Sequence, residues 1–297
     1  ISIYYFHQFP NYFLIANLIA IPLSGILIYT GVIFIFLSFI PFLGKIAAVI
    51  VVAEIKILNT SVAFIEGLPG AVSHGIYLST NATILIYLMM FSGFMLFTLK
   101  NRFWLYPVLG MSLLLATDFA GTAIRRMNNK VIIVQSINRH TAISFTNGRK
   151  QVVLADSAVV SNPELIRYST EAFRISGGIR EIAYTNLSAD HGPEPGVQDD
   201  PEIGKGFFSF SGKRGVVLTP ELKLPSEKKQ IKVDYVVLTG NLRHKLETLT
   251  RNFPGATFIA DASNSGRKCL NWSEEAVRLG VPFHSVRESG AWVLRLN

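Results

Sequence analysis

The feature that most constrains this chain is a run of 29 residues without one charged side chain, YFLIANLIAIPLSGILIYTGVIFIFLSFI, at residues 12–40. A helix needs about 20 apolar residues to cross a bilayer, so this run can cross with a tilt or a kink. Pro22 and Gly25 are the expected kink points. Two more apolar runs follow at residues 81–99 and 103–121. The first part of the chain is therefore predicted to be helical and embedded in a membrane.

A fourth hydrophobic segment, residues 44–70, differs from these three because it carries Glu54 and Lys56 near its middle. Charged groups at the centre of a bilayer are costly, so they face protein or water when they occur there. The segment is open to two interpretations: a spanning helix that turns its charges away from lipid, or a helix at the membrane surface. We favour a tilted or interfacial helix that packs against the others.

Charged residues are concentrated in the second part of the chain. Residues 1–120 contain four of the 28 lysines and arginines and three of the 20 acidic residues, which leaves 24 basic and 17 acidic residues for 121–297. The net charge therefore rises from +1 to +7 between these parts, which predicts membrane helices at 1–121 and a water-exposed domain at 122–297. The chain starts at Ile1, inside a hydrophobic segment, and we expect it to be the C-terminal piece of a longer protein.

The basic residues of the short connections predict an orientation. Short loops rich in lysine and arginine stay in the cytoplasm, which places Lys45, Lys100 and Arg102 there and sends the C-terminal part across the membrane. Three basic residues that follow the last apolar run argue the other way: Arg125, Arg126 and Lys130.

One polar side chain stands out within the first apolar run. Asn17 lies five residues before Pro22. Polar groups inside membranes often mark a transport path, and a proline frees backbone groups that can line a cavity. Asn17 and Pro22 are therefore candidate channel-lining residues. The alternative is an interhelical hydrogen bond from Asn17 that only holds the helices together.

Short runs rich in β-branched and aromatic residues follow the membrane segment. The predicted strands are 130–135, 141–146, 151–156, 181–185, 207–211, 215–219, 233–239, 257–261 and 291–296. The pair Asn147-Gly148 predicts a hairpin. Helices are predicted over 162–176, from about Leu242 and near 268–279. This order predicts an α/β domain with a mixed sheet covered by helices.

Three features carry a resemblance to a known family. They are the stretch FPNYFLIANLIAIPLSG at 9–25, the turn IEGLPGA at 65–71, and paired spans followed by a hydrolase-like α/β domain. Together they resemble the ComEC-type DNA-internalisation competence proteins over nearly the whole chain. The resemblance implies the end of a membrane competence domain followed by a metallo-β-lactamase-like αββα sandwich. It also implies passage of single-stranded DNA through the inner membrane.

The segment YTNLSADHGPEPG at 184–196 has the spacing of the family's metal motif, Thr-His-x-His-x-Asp-His, without half of its ligands. Asn186 and Ser188 stand where the motif has histidines, and Asp190 and His191 keep their places. A hydrolytic metal needs about three protein ligands, and the oxygens of Asn and Ser are weak donors for transition metals. These remnant positions predict no bound metal.

A second family motif keeps only its aspartate, Asp156. We therefore expect a degenerate metallo-β-lactamase-like domain with no cofactor and no catalytic residues. A weak site for a single metal ion remains an alternative, and His140 or His284 could replace a lost ligand. The corresponding functional alternative is a membrane-attached, metal-dependent nuclease that acts on the non-transported DNA strand.

Two strand ends in the α/β domain are basic and rich in glycine and asparagine, LTGNLRHK at 238–245 and DASNSGRK at 261–268. Each follows an apolar run and leads into a predicted helix, so both are expected to face one crevice. The candidate DNA-binding residues are Arg243, Lys245, Arg267 and Lys268. They would contact the phosphate backbone without reading bases. The alternative is a solvated basic surface.

The resemblance thus implies a channel component for uptake of single-stranded DNA in natural transformation. It would lie in the lipid bilayer of the inner (cytoplasmic) membrane, with its C-terminal domain on the extracytoplasmic side. DNA is the expected partner through its backbone, and other competence proteins are possible partners. A further interpretation is that the α/β domain only scaffolds partner proteins.

Overall fold

The computed structural model describes residues 2–187, 201–204, 206–222 and 230–296. The chain divides into two compact units, Ile1–Leu115 and Ala116–Asn297.

The first unit is helical. In chain order, the elements from its start through the helix that leads into the second unit are α1 (Ser2–Phe6), strand β1 (Gln8–Pro10), α2 (Phe13–Leu37), α3 (Pro41–Glu66), strand β2 (Val72–His74), α4 (Thr80–Leu99), a 3-10 turn (Arg102–Trp104) and α5 (Leu105–Met127). Helix α2 continues through Pro22. The four long helices, with the 3-10 turn counted into the last, are long and apolar enough to cross a membrane. The first half of the predicted fold, a segment of apolar helices that precedes the α/β domain, is therefore confirmed.

Helices α2 and α3 form a hairpin. Gly44, near the start of α3, is buried against the end of α2, where a Cβ atom would lie 3.1 Å from the Cα of Ser38. Farther along, the hydroxyl of Thr30 in α2 donates a hydrogen bond to the carboxylate of Glu54 in α3, at 2.5 Å. Helix α3 therefore packs along an uncharged apolar helix, a contact expected for both the spanning and the interfacial interpretation of this segment, and the choice between them stays a prediction.

The two sequence stretches that carried the family resemblance contact each other. Strand β1 pairs with β2 in antiparallel register. The side chain of Asn11 donates to the carbonyl of Gly70 at 2.7 Å and to the hydroxyl of Ser73 at 2.9 Å. The hydroxyl of Tyr12 donates to the carbonyl of Pro69 at 3.1 Å. The turn after α3 is therefore fixed to the start of α2.

The described residues of the second unit form two sheets. Its strands are β3 (Lys130–Val134), β4 (Ala142–Asn147), β5 (Lys150–Ala155), β6 (Glu181–Asn186), β7 (Glu202–Gly204), β8 (Phe207–Phe210), β9 (Lys213–Leu218), β10 (Tyr235–Leu238), β11 (Thr257–Ala260), β12 (Phe283–Ser285) and β13 (Trp292–Leu296). One sheet has the order β13-β3-β4-β5-β6 and the other β12-β11-β10-β9-β8-β7. Strands β5 and β6 are parallel, as are β9 to β12, and the remaining pairs are antiparallel.

Helices cover the outer faces of both sheets. They are α6 (Ser157–Ser161) and α7 (Glu164–Gly177) on one sheet and α8 (Leu246–Asn252) and α9 (Gly266–Leu279) on the other, whereas the short helix α10 (Val286–Ser289) contributes Val286 to the core between the sheets. Between the sheets, the ring of Phe145 lies 5.0 Å from that of Phe208 and 5.7 Å from that of Phe210. Trp272 of α9 packs on one outer face, and Ile166 of α7 packs on the other. The predicted αββα sandwich is therefore confirmed, with one core between the sheets and a further core under the helices on each outer face.

Local sequence signals explain several boundaries. Gly148 has a φ of 57° in the turn between β4 and β5, which is why the Asn-Gly pair predicted this hairpin correctly. Helix α8 starts at Leu246, later than the predicted Leu242. The reason is that Gly240 and Asn241, with φ of 65° and 58°, occupy the left-handed region and prolong the turn.

Candidate functional site at the carboxyl ends of the strands

The polar residues of the α/β unit converge where the parallel strands end. Ala155 at the end of β5 pairs with Asn186 at the end of β6, and Leu238 of β10 pairs with Ala260 of β11. A side-chain hydrogen bond from Thr141 to Asp261 joins the two sheets at this edge. The carboxyl edge of both sheets is therefore one continuous site, as expected for an α/β fold.

Both carboxylate oxygens of Asp156 have hydrogen-bond partners within this edge. Its Oδ1 accepts from the backbone N–H of Val159 at 3.0 Å, which makes it the N-cap of α6. Its Oδ2 lies 3.0 Å from Nδ1 of His140 and accepts from the backbone N–H of Thr141 at 3.2 Å. Of the two histidines considered as replacement ligands, His140 therefore lies beside the remaining aspartate. The other, His284, contacts the carbonyl of Gly290 at 3.0 Å.

Asp261 is the centre of the site, and the sequence did not single it out. It is completely buried. Its Oδ1 accepts from the hydroxyl of Ser263 at 2.5 Å, from the backbone N–H of Ser263 at 3.1 Å and from the amide of Asn264 at 2.9 Å. Burial raises the pKa of this carboxyl to about 6, against the opposing effect of the hydrogen bonds from Ser263 and Thr141, which lower it.

The same residues fix the two loops that follow β10 and β11. The N–H of Gly240 donates to the hydroxyl of Ser263 at 2.8 Å, and the N–H of Asn241 donates to Oδ1 of Asn264 at 2.9 Å. In return, the N–H of Ser265 donates to Oδ1 of Asn241 at 2.6 Å. The Asp261 network therefore determines how the basic segments that begin at these loops lie relative to each other.

The four predicted DNA-binding residues lie on these adjoining segments. Arg243, Lys245 and Arg267 are exposed, and Lys268 is half-buried. The ammonium of Lys268 lies 4.8 Å from the ring centroid of Trp272, whose indole N–H donates to the carbonyl of His244 at 3.2 Å. Trp272 thus places Lys268 next to the turn that carries Arg243 and Lys245. Arg267 is in the same first turn of α9.

Two further arginines belong to this edge and were missed. The backbone N–H of Arg139 donates to the carbonyl of Ala262 at 3.2 Å, and its side chain is exposed. The guanidinium of Arg287 donates to the carbonyl of Asn264 at 3.3 Å. Arg139 follows the end of β3, and Arg287 follows the end of β12. Their positions after strand ends were the sequence signal that could have placed them at this edge. These two arginines were not predicted because they flank strands of different sheets that are far apart in sequence.

Of the remnant metal positions, the structure describes Asp156 and Asn186. Ser188, Asp190 and His191 lie outside the described residues. Among the residues that the structure does describe, there is no group of three His, Cys, Asp or Glu side chains that could hold a metal ion. The carboxylates of Asp156 and Asp261 at this edge accept hydrogen bonds from donors of the protein.

The candidate channel residues lie in the other unit. Asn17 and Pro22 are both exposed on α2. In the described part of the chain, no hydrogen bond of the Asn17 side chain to another helix is found. Pro22 has no N–H to donate to the backbone carbonyl of Leu18. The free carbonyl of Leu18 and the side-chain amide of Asn17 are therefore polar groups at adjacent positions of an apolar helix.

Comparison with known families gives two matches that together cover most of the chain. Residues 132–296 match the model of the ComEC C-terminal domain, and residues 1–103 match the model of the competence protein domain. A search of curated proteins and a search of solved structures each found no match.

Proposed function

Since this chain belongs to the ComEC-type competence proteins, membrane proteins of DNA uptake, we propose that its apolar helices form part of the channel for single-stranded DNA. Natural transformation would require this path through the inner (cytoplasmic) membrane. The observation that carries the proposal is Asn17, an exposed amide in α2 beside the carbonyl that Pro22 leaves without its helical donor. In a bilayer, such polar groups need water or protein around them.

Asn17→Leu tests the channel directly. We expect this change to reduce DNA uptake strongly while the protein remains inserted and abundant, because leucine removes the amide and leaves an apolar helix. Asn17→Ser, which keeps a polar side chain, should retain most of the uptake. The measurement is entry of labelled DNA into cells together with the amount of the protein in the membrane. Normal uptake in the leucine variant would assign Asn17 to helix packing.

The α/β domain is proposed to be a catalytically inactive, lactamase-like domain that contacts the DNA backbone. Its inactivity is supported by Asp156 and Asp261, whose carboxylate oxygens are occupied by donors from their own sheet edge. DNA contact is supported by the cations that surround the same edge. A backbone site of this kind suits DNA of any sequence.

Cleavage of DNA separates this proposal from the nuclease alternative. We expect the purified chain to leave single- and double-stranded DNA intact with Mg²⁺, Mn²⁺ or Zn²⁺, because Asn186 and Ser188 do not replace two imidazoles. The measurement is product analysis after incubation with each metal ion. Metal-dependent cleavage that is lost on Asp190→Ala and His191→Ala would establish the nuclease instead.

The orientation of the domain is also proposed. With Lys100 and Arg102 in the cytoplasm, residues 122–297 lie on the extracytoplasmic side. Reporter fusions at residue 101 and at the C-terminus are expected to give opposite signals. Equal signals would reverse the assignment for the α/β domain.

The scaffold interpretation, in which the α/β domain only holds other competence proteins, has a different signature. Deletion of 122–297 would then abolish uptake without any change in DNA binding. We expect both to decrease, because the basic residues are assigned to DNA.

A further inference from the structure

Helix α3 carries its acidic and its basic side chains near the middle on opposite sides, Glu54 on a packed face and Lys56 on an exposed one. Seven residues spaced by three and four positions are buried or half-buried: Gly44, Ala47, Val51, Glu54, Leu58, Ser61 and Ile65. This face packs against α2, where the Thr30 hydroxyl holds the Glu54 carboxylate. The acidic charge of α3 is therefore directed into the helical hairpin.

The face that carries Lys56 is exposed. Lys45, Lys56, Asn59 and Thr60 are all exposed. At 3.6 residues per turn they fall within a sector of about 100°, centred opposite Glu54. The helix is otherwise apolar around this sector, with Val49 and Val52 between the two lysines.

Glu54 does not neutralise Lys56. The two residues are two positions apart, so their side chains point in nearly opposite directions, about 160° from each other around the helix. Within the described chain, the ammonium of Lys56 has no ion pair or hydrogen bond. A lysine at this depth of an apolar helix faces water or a polar partner, because its charge is costly in lipid.

The surface groove beside Lys56 is lined by small side chains. Its lining consists of Ala48, Val49, Val52, Ala53 and the lysine itself. Small side chains let an extended chain approach the helix closely, and the cation at one end is complementary to a polyanion. Both properties fit a phosphodiester backbone.

We propose that the exposed face of α3, with Lys56 at its centre, lines the water-filled path and contacts the phosphates of the DNA strand in transit. The inference rests on the proposed channel function, and it adds a charged contact to the amide of Asn17. Lys56 lies on the side of α3 opposite the face that is packed along α2, and it is therefore available to a molecule in the path.

Substituted cysteines test the face. The chain has one cysteine, Cys269, which is buried and can be replaced by alanine. In that background, Lys56→Cys, Val52→Cys and Asn59→Cys should react with a membrane-impermeant methanethiosulfonate, whereas the matched control Ile57→Cys, about 100° around the helix, should not. DNA engaged in uptake should slow the reaction at position 56.

A functional series tests the charge. Lys56→Gln should lower the rate of uptake by about tenfold or more, the scale of one lost charge-assisted contact. Lys56→Arg should restore it, and all variants should be compared at equal abundance in the membrane. Modification of 56 and 57 at equal rates would place α3 at the membrane surface and overturn the inference. An unreactive position 56, or normal uptake by Lys56→Gln, would also overturn it.

These failures are distinguishable from failure of the channel proposal. If uptake depends on the protein but is insensitive to Lys56, only the assignment of this face is wrong. If removal of the whole protein leaves uptake intact, the channel proposal itself is wrong.

Discussion

Asp261→Ala should destabilise the α/β unit by about 3 kcal/mol, because it removes the acceptor for several buried donors at once. The hydroxyl of Thr141, the hydroxyl and N–H of Ser263 and the amide of Asn264 all donate to this carboxylate. The measurement is protection of the β10 and β11 amides from hydrogen exchange in the detergent-solubilised chain. Ser161→Ala, at an exposed hydroxyl of α6, is a matched control that should change stability little.

The effect of Asp261 should also depend on pH. Burial raises the folded pKa to about 6, above the value of about 3.9 in an unfolded chain. The folded state therefore binds the proton more tightly. The proton-linked part of the stability is therefore fully present below about pH 4 and decreases as the pH rises through 6, by about 3 kcal/mol in total, in addition to the loss of hydrogen bonds in Asp261→Ala.

The Asp261→Asn variant isolates this titration, since it keeps the shape of the side chain and removes the ionisable group. The difference in unfolding free energy between wild type and variant should shift in favour of the variant as the pH rises from 4 to 7. A difference that stays constant over this range would show that Asp261 keeps the same charge in the folded and unfolded states. Loss of stability by the wild type relative to the variant on acidification would reverse the sign that burial predicts.

The helices and strands of this fold could be predicted because each depends on the pattern of residues within a short stretch of sequence. The uncharged run at 12–40 predicted α2, and the Asn147-Gly148 pair predicted the β4–β5 turn. Asp156 illustrates a missed local signal. The residue was interpreted as a remnant metal ligand, and its position before Ser-Ala-Val-Val also fits an N-cap, which is what it forms in α6.

The site was harder to predict because its central contact is not local. Thr141 and Asp261 lie 120 positions apart in the chain and in different sheets. Their contact depends on how the sheets stack, which periodicity does not encode. Asp261 was visible only as the first residue of a basic, asparagine-rich segment. Its burial, which gives the residue its raised pKa, follows from packing of both sheets.

The basic edge provides the second large expected effect, in the salt dependence of DNA binding. Each phosphate neutralised on a single strand contributes about −0.7 to the slope of log affinity against log salt concentration. Arg243 and Lys245 lie on the turn after β10, and Arg267 and Lys268 begin α9. If three or four of these cations contact phosphates, replacing all four by alanine should flatten the slope by roughly two to three units.

A fourfold control is available on the opposite edge of the same sheet. Lys213, Arg214, Lys232 and Arg278 lie near the amino ends of β9 and β10 and at the end of α9. Replacing them by alanine removes the same total charge. We expect this control to leave most of the slope intact, because long-range attraction is screened over about 8–10 Å at physiological salt. A comparison of the two variants therefore separates a local site from a general effect of net charge.

The measurement is a salt titration of DNA binding by wild type and both variants, with single strands of unrelated sequences. Binding should be indifferent to sequence, because the proposed contacts reach phosphates and no base edges. Base stacking on aromatic rings would weaken affinity with little change in slope, and Trp272 is buried beneath Lys268. An unchanged slope in the first variant, or equal losses in both, would return Arg243, Lys245, Arg267 and Lys268 to a solvated basic surface. A loss confined to the first variant would make the edge fixed by Asp261 the DNA-binding surface.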